Sequence, residues 1–201
     1  MLSVVDPLPA SDRTGRRFDD LFRHFYPRLI GLAERMLGDR TEAEDLLQEA
    51  FLRLARADSA DAADDERGGS VLDRPDEVVG AWLRRVVLNL GANRLRERRR
   101  AAERLERAQR LDPTLDPLQS TGEAGGPAQH VLRDEARAEV RAVLATLPER
   151  QRGCLLLRYA GHSYAEIAAT LGVAPGSVGT LLARAERAFR DTFQEHRHEL
   201  S

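Results

Sequence analysis

The chain has 201 residues, room for one or two domains, and charged residues make up 32% of it although the net charge is only −2. A single cysteine, Cys154, excludes an internal disulfide; the scattered histidines give no zinc-ligand spacing; no run approaches the roughly 18 apolar residues of a membrane span; and the N-terminus lacks a basic stretch followed by an apolar core. No metal, no cofactor, no membrane span and no secretion signal are therefore expected, and a cytoplasmic location follows as the expectation.

All 31 basic residues are arginine, which reads as the composition of GC-rich coding sequence rather than as a binding signal. Residues 1–15 read as a flexible arm. Phe18, Leu21, Phe22, Phe25, Leu29, Leu32 and Met36 then recur at helical spacing until Gly38 stops the helix. Thr41 and Glu44 have capping-box spacing for a helix over residues 42–57, with Leu46, Leu47, Ala50, Phe51 and Leu54 on its apolar face. Asp45, Gln48 and Glu49 share the other face, which alone would be a solvated surface.

Residues 58–77 are acidic and Gly/Ala-rich and read as a mobile loop. A long helix follows from Pro75 to about Arg110, ending in an arginine tract. It aligns Trp82, Arg85, Asn89, Asn93, Arg96 and Arg100 along one side, with Arg99 beside them. Asparagine reaches base edges and arginine grips phosphate, whereas Trp82 suits either the core or a stacked base. Residues 111–128 hold prolines, glycines and no basic residue, and read as a linker.

Helices are expected over residues 129–146, 149–160, 163–171 and 175–194. Ser163 and Glu166 form a capping box, Gly172 suits a left-handed helix end, and Pro175 suits a first helical position. This is the pattern of a helix-turn-helix, with an ordinary helical hairpin as the alternative. Its second helix is unusual, because Ser177, Gly179, Thr180 and Leu181 carry no charge and basic residues begin only at Arg184, Arg187 and Arg190. The fold class is all-α: two small helical domains at residues 16–110 and 129–195, joined by a flexible linker, the second a helix-turn-helix.

The segments DLLQEAF and WLRRV, followed by a helix-turn-helix, together resemble the extracytoplasmic-function class of bacterial sigma factors, over almost the whole chain. The resemblance implies binding to core RNA polymerase and direction of it to promoter DNA. Asp45, Leu46, Gln48, Glu49 and Phe51 match the segment that docks on the β′ clamp helices; the β flap is the second polymerase partner implied. Trp82, Arg85, Asn89, Asn93, Arg96, Arg99 and Arg100 match the helix that engages the −10 element. Pro175, Ser177, Thr180, Arg184 and Arg187 fall in the reader of the −35 element. Residues 155–157 and Tyr159 match scaffold, and family habit implies an anti-sigma partner that no residue identifies. Family members usually carry lysine near Gly179, arginine near Leu181 and often aspartate at the position of Asn93, so this chain departs from the pattern at three places. Two other readings use the same residues: a degenerate member working through protein contacts, and a stand-alone helix-turn-helix regulator. No nucleophile, metal set or phosphate loop points to an enzyme.

Overall fold

The computed structural model describes residues 10–61, 71–111 and 128–199. Among the described residues it contains α1 (Ala10–Leu37), α2 (Arg40–Asp61), α3 (Asp76–Leu111), α4 (Ala128–Thr146), α5 (Glu149–Tyr159), α6 (Tyr164–Leu171) and α7 (Val178–Glu199), with 3-10 turns at Val71–Asp73 and Pro175–Ser177. The all-α expectation holds. The linker expected at 111–128 lies outside the described residues apart from its two ends, as do residues 62–70 of the acidic loop.

Three boundaries differ from expectation. Helix α1 begins at Ala10, inside the expected arm. Helix α2 begins at Arg40 because the Asp39 carboxylate, not the Thr41 hydroxyl, accepts from the Glu42 N–H at 2.8 Å; Glu44 instead accepts from Arg40. The C-terminal end of the acidic segment forms a 3-10 turn, in which Val71 and Leu72 are buried and Arg17 donates to the Leu72 carbonyl at 3.0 Å.

Helices α1, α2 and α3 pack as a three-helix unit. Leu21, Leu29 and Leu32 of α1, Leu46, Leu47 and Leu54 of α2, and Val79, Leu83 and Val87 of α3 are all within 2% of full burial. Each such side chain contributes about 1.5–3 kcal/mol relative to exposure. Two glycines on one side of α3 let α1 approach. A Cβ at Gly80 would stand 2.6 Å from the Phe25 ring, and one at Gly91 would stand 2.5 Å from the Met36 methyl.

Helices α5, α6 and α7 form the second unit around Leu155, Leu156, Leu157, Ile167, Val178 and Leu182. Tyr159, expected as scaffold, is 76% exposed: it is the last residue of α5, just before the chain turns at Gly161. The capping box of α6 forms as its sequence dictates, with the Ser163 hydroxyl accepting from the Glu166 N–H and the Glu166 carboxylate accepting from the Ser163 N–H at 2.9 Å. Gly172 ends α6 at φ 65°, a left-handed conformation that favours glycine. The segments Tyr164–Leu171 and Pro175–Glu195 meet at a bend of 104°, inside the range of about 90–120° for a helix-turn-helix. The two units are not separate bodies. Their buried residues form one continuous apolar cluster, bridged where Leu88 of α3 meets α5 beside Leu171.

Two glycine substitutions should move stability in opposite directions. Gly80→Ala should lower it by about 1–2 kcal/mol, since the buried Phe25 ring cannot retreat from the new methyl. Gly179→Ala should raise it by about 0.5–1 kcal/mol, because its Cβ would meet only Tyr164 at 3.8 Å and alanine favours helix. Urea unfolding of both variants checks the pair. Hydrogen bonds from the Ser163 backbone and hydroxyl and from His162, outweighing partial burial, hold the Glu166 pKa at about 2. A carboxylate depressed in the folded state stabilises fully above its unfolded pKa, about 4.3, and loses that contribution as pH falls toward 2. The stability difference between the parent chain and Glu166→Gln should therefore shrink across that window in pH-resolved thermal unfolding.

Candidate functional site

The helical period divides α2 cleanly. Leu46 and Phe51 are 0% and 3% exposed and belong to the core, so they hold the outer face in place from behind. Asp45 and Gln48 are exposed. Glu49 lies beside them, its carboxylate accepting from Arg53 at 2.6 Å, with Arg94 at 3.9 Å. Two apolar residues outside the matched docking set join this face. Leu52 is 55% exposed, and Phe22 of α1, 38% exposed, lies with its ring 4.8 Å from that of Phe51. Leu52 was detectable by phase, standing four residues after Gln48 and out of step with Leu47, Ala50 and Leu54. The outer face thus alternates charge, amide and exposed hydrocarbon, which suits a protein partner better than nucleic acid.

Helix α3 spans 36 residues, about 54 Å, and presents different chemistry on different sides. Trp82 is half-buried against the core and Asn89, Asn93, Arg99 and Arg100 are exposed. The arginine tract splits by period. Arg94 and Arg98 turn inward, donating to the Glu42 carbonyl at 2.7 Å and the Leu37 carbonyl at 3.0 Å, and Arg98 also pairs with Glu42. Arg96 points the other way, 3.5 Å from Glu149 at the start of α5. Arg99 pairs along the helix with Glu103 at 3.2 Å.

Arg85 is engaged more tightly. Its Nε donates to the Thr170 carbonyl at 2.7 Å and its Nη2 to the Ala169 carbonyl at 2.9 Å, both at the C-terminal end of α6. The neighbouring Arg84 is 7% exposed, and its Nε donates to the Thr170 hydroxyl at 3.0 Å. Burial lowers the Arg84 pKa, with Glu166 acting against that shift and Arg28 reinforcing it. Sequence reading missed Arg84, because the first of two adjacent arginines carries no mark that it, and not its neighbour, will be buried by a distant helix.

On the helix-turn-helix, Pro175, Ser177, Thr180, Arg184 and Arg187 are all exposed. Residues 177, 180, 184 and 187 follow the three-and-four spacing of one helix face, opposite the buried Val178, Leu182 and Ala185. That face begins neutral and becomes basic toward the C-terminus, a distribution suited to phosphate more than to base edges. A cleft of about 1240 Å³ between α1, α4, α5 and α7 lies apart from all three residue sets and includes Leu144, Tyr159, Phe189 and Phe193 in its lining. Among the described residues, no group of three or more His, Cys, Asp or Glu side chains is placed to hold a metal ion, and no single helix is long and apolar enough to cross a membrane.

Known proteins resemble this chain in sequence. The family model for Sigma-70 region 2 matches residues 21–101 and that for Sigma-70, region 4 matches residues 137–189. The chain is 32% identical to the ECF RNA polymerase sigma factor SigE of Mycolicibacterium smegmatis, over 90% of this chain and 63% of that protein, so it spans less than two thirds of that relative's length. It is 29% identical to the RNA polymerase sigma-H factor of Pseudomonas aeruginosa, over 95% of this chain and 92% of the relative. It is 31% identical to SigM, an ECF RNA polymerase sigma factor of Mycobacterium tuberculosis, over 88% and 76%. Among solved structures, the sigma factor RpoE in its co-crystal with the anti-sigma factor NepR from Bartonella quintana covers 88% of this chain and 96% of its own, at 21% identity and a TM-score of 0.45. The two matched regions, in this order on one chain, and the identity to SigM across most of both lengths establish that the chain belongs to the extracytoplasmic-function class of the sigma-70 family.

Proposed function

We propose that the chain binds core RNA polymerase and directs it to a class of promoters, with α2 as the polymerase-docking helix, α3 as the helix that captures the −10 element and the helix-turn-helix as the −35 contact. The observation that carries this reading is the division of surfaces on one rigid helical unit. The α2 face offers Asp45, Gln48, Glu49 and Leu52 to a protein, and α3, which packs against α2 in the same core, carries the asparagine and arginine side. In this reading the polymerase supplies the catalytic centre and the sigma factor supplies selectivity. Base capture rests on Trp82, Asn89 and Asn93, phosphate grip on Arg85, Arg96, Arg99 and Arg100, and backbone contact with the −35 duplex on Arg184 and Arg187, with Pro175, Ser177 and Thr180 close to the bases. The β′ clamp helices and β flap are the polymerase elements proposed as partners, and an anti-sigma factor is a further proposed partner.

A second reading has a specific observation in its favour. The leading turns of α7 carry no arginine, asparagine or glutamine, so that face suits contact with a protein as well as contact with bases. A degenerate sigma-like protein or a helix-turn-helix regulator acting through protein contacts would use it so.

Transcript sequencing with purified core polymerase plus this chain on genomic DNA separates the readings: new transcript starts sharing upstream sequence support the first, and their absence overturns it. Within that assay, Asp45→Ala combined with Leu52→Ala should weaken core binding at least tenfold while leaving unfolding within about 0.5 kcal/mol of the parent, since both side chains are exposed. Arg184→Ala and Arg187→Ala should each lower the salt dependence of duplex binding by about one unit of slope without changing which promoters are chosen.

A further inference from the structure

The outward side of α7 begins with small, uncharged residues. We propose that the helix-turn-helix selects thymine, by contact of the Thr180 γ-methyl and the Ala183 methyl with the 5-methyl groups of neighbouring A·T pairs in the major groove. The proposal rests on the reading of this unit as a duplex-DNA contact given above, and it names the base chemistry that the contact selects.

Residue type on that side excludes the other readouts. Ser177, Thr180, Ala183, Arg184 and Arg187 are exposed along it, and Val178, Leu182 and Ala185 are buried behind it. Reading guanine takes the two-donor grip of arginine or lysine, and reading adenine takes the amide of asparagine or glutamine. None of these residue types occurs from Ala174 to Ala183. The Ser177 and Thr180 hydroxyls can donate or accept, so they discriminate little between base edges. The base-specific mark that remains within their reach is the thymine methyl, which packs against alanine and against the threonine methyl.

The shape of the helix suits that contact. No side chain on this side extends past its γ atom before Arg184. A helix with full side chains is about 10–12 Å across, and the major groove is about 12 Å wide. A face trimmed to methyl and hydroxyl groups therefore seats the α7 backbone closer to the base edges. Residues three apart, such as Thr180 and Ala183, stand about 4.5 Å apart along the axis, near the base-pair rise of about 3.4 Å, so they meet neighbouring pairs. Arg184 and Arg187 follow on the same side, beyond the leading turns that face base edges, where phosphate is the partner for a guanidinium.

The flank of the unit suits the backbone. Tyr164, the first residue of α6, is 44% exposed, and a Cβ on Gly179 of α7 would stand 3.8 Å from its ring. The Arg158 guanidinium lies over that ring, 5.7 Å from its centre. In a helix-turn-helix the first helix crosses the DNA backbone, so this aromatic and cation pair falls on the phosphate side and leaves Thr180 and Ala183 to the bases.

The test presents the full chain, alone and bound to core polymerase, with duplexes carrying a random segment. The duplexes it enriches should share adjacent A·T pairs. Replacing each thymine in turn by deoxyuridine then removes one methyl and nothing else. One or two neighbouring positions should each lose about fourfold in affinity, the worth of one buried carbon, and the others should lose nothing. Thr180→Ser keeps the hydroxyl and lacks the methyl, and should abolish the preference for thymine over deoxyuridine at one position. Thr180→Val keeps a methyl and lacks the hydroxyl, and should retain that preference. Arg184→Ala should weaken both duplexes alike. Equal affinity of the parent chain for thymine and deoxyuridine duplexes overturns the methyl readout while the DNA reading stands, and that comparison depends on no variant folding. A Thr180→Ser chain that keeps the full preference at every thymine overturns the assignment to Thr180. Enrichment of no duplex, with or without polymerase, removes the DNA reading of the helix-turn-helix and the methyl readout with it.

Discussion

An α-helix leaves its last carbonyl oxygens without intrahelical partners, and this chain meets that constraint repeatedly with arginine. Arg98 donates to Leu37 at the end of α1, Arg152 to Ala145 near the end of α4, and Arg85 to Ala169 and Thr170 at the end of α6. The negative end of the helix dipole favours a cation there, and the planar guanidinium reaches two carbonyls at once where an ammonium offers a point charge. The arginine composition, which as sequence reads as coding bias, thus has a structural use that composition alone does not reveal.

Helix α3 is where these demands meet. Its Val79, Leu83 and Val87 side chains bury into the core, Gly80 and Gly91 let α1 close on it, Arg94 and Arg98 tie it to α1 and α2, and Arg84 and Arg85 tie it to α6. Asn89, Asn93, Arg99 and Arg100 remain exposed on it. One helix therefore serves as core element, as connector between two units and as candidate binding surface. A substitution on it must be assigned to one of those roles before its effect on transcription is interpreted.

The helix-turn-helix is closest to what its residues dictate locally. Ser163, Glu166, Gly172 and Pro175 each act within a few residues of themselves, so local spacing alone made the capping box, the left-handed turn and the start of the second helix legible. The α2 start was legible in kind but not in position, since Asp39 and Thr41 both have capping chemistry and only backbone geometry selects between them. Leu52 and Phe22 were legible in principle from helical phase. Tyr159 was misplaced because an aromatic at a helix end is buried only if another element covers it, and none does among the described residues.

By itself, the sequence determined the helical class, the order of elements, the capping residues and the two faces of α2, because these depend on spacing within one or two turns. The combination of DLLQEAF, WLRRV and a helix-turn-helix was enough to point to the family. Only the tertiary structure decided which arginines hold helix ends and which remain outward, that Arg84 is buried, and that the two units share one core cluster. The reason is that arginines identical in type acquire different roles from partners some 50 to 90 residues away in the chain, as with Arg94 and Glu42 or Arg84 and Thr170, and no local spacing encodes those meetings.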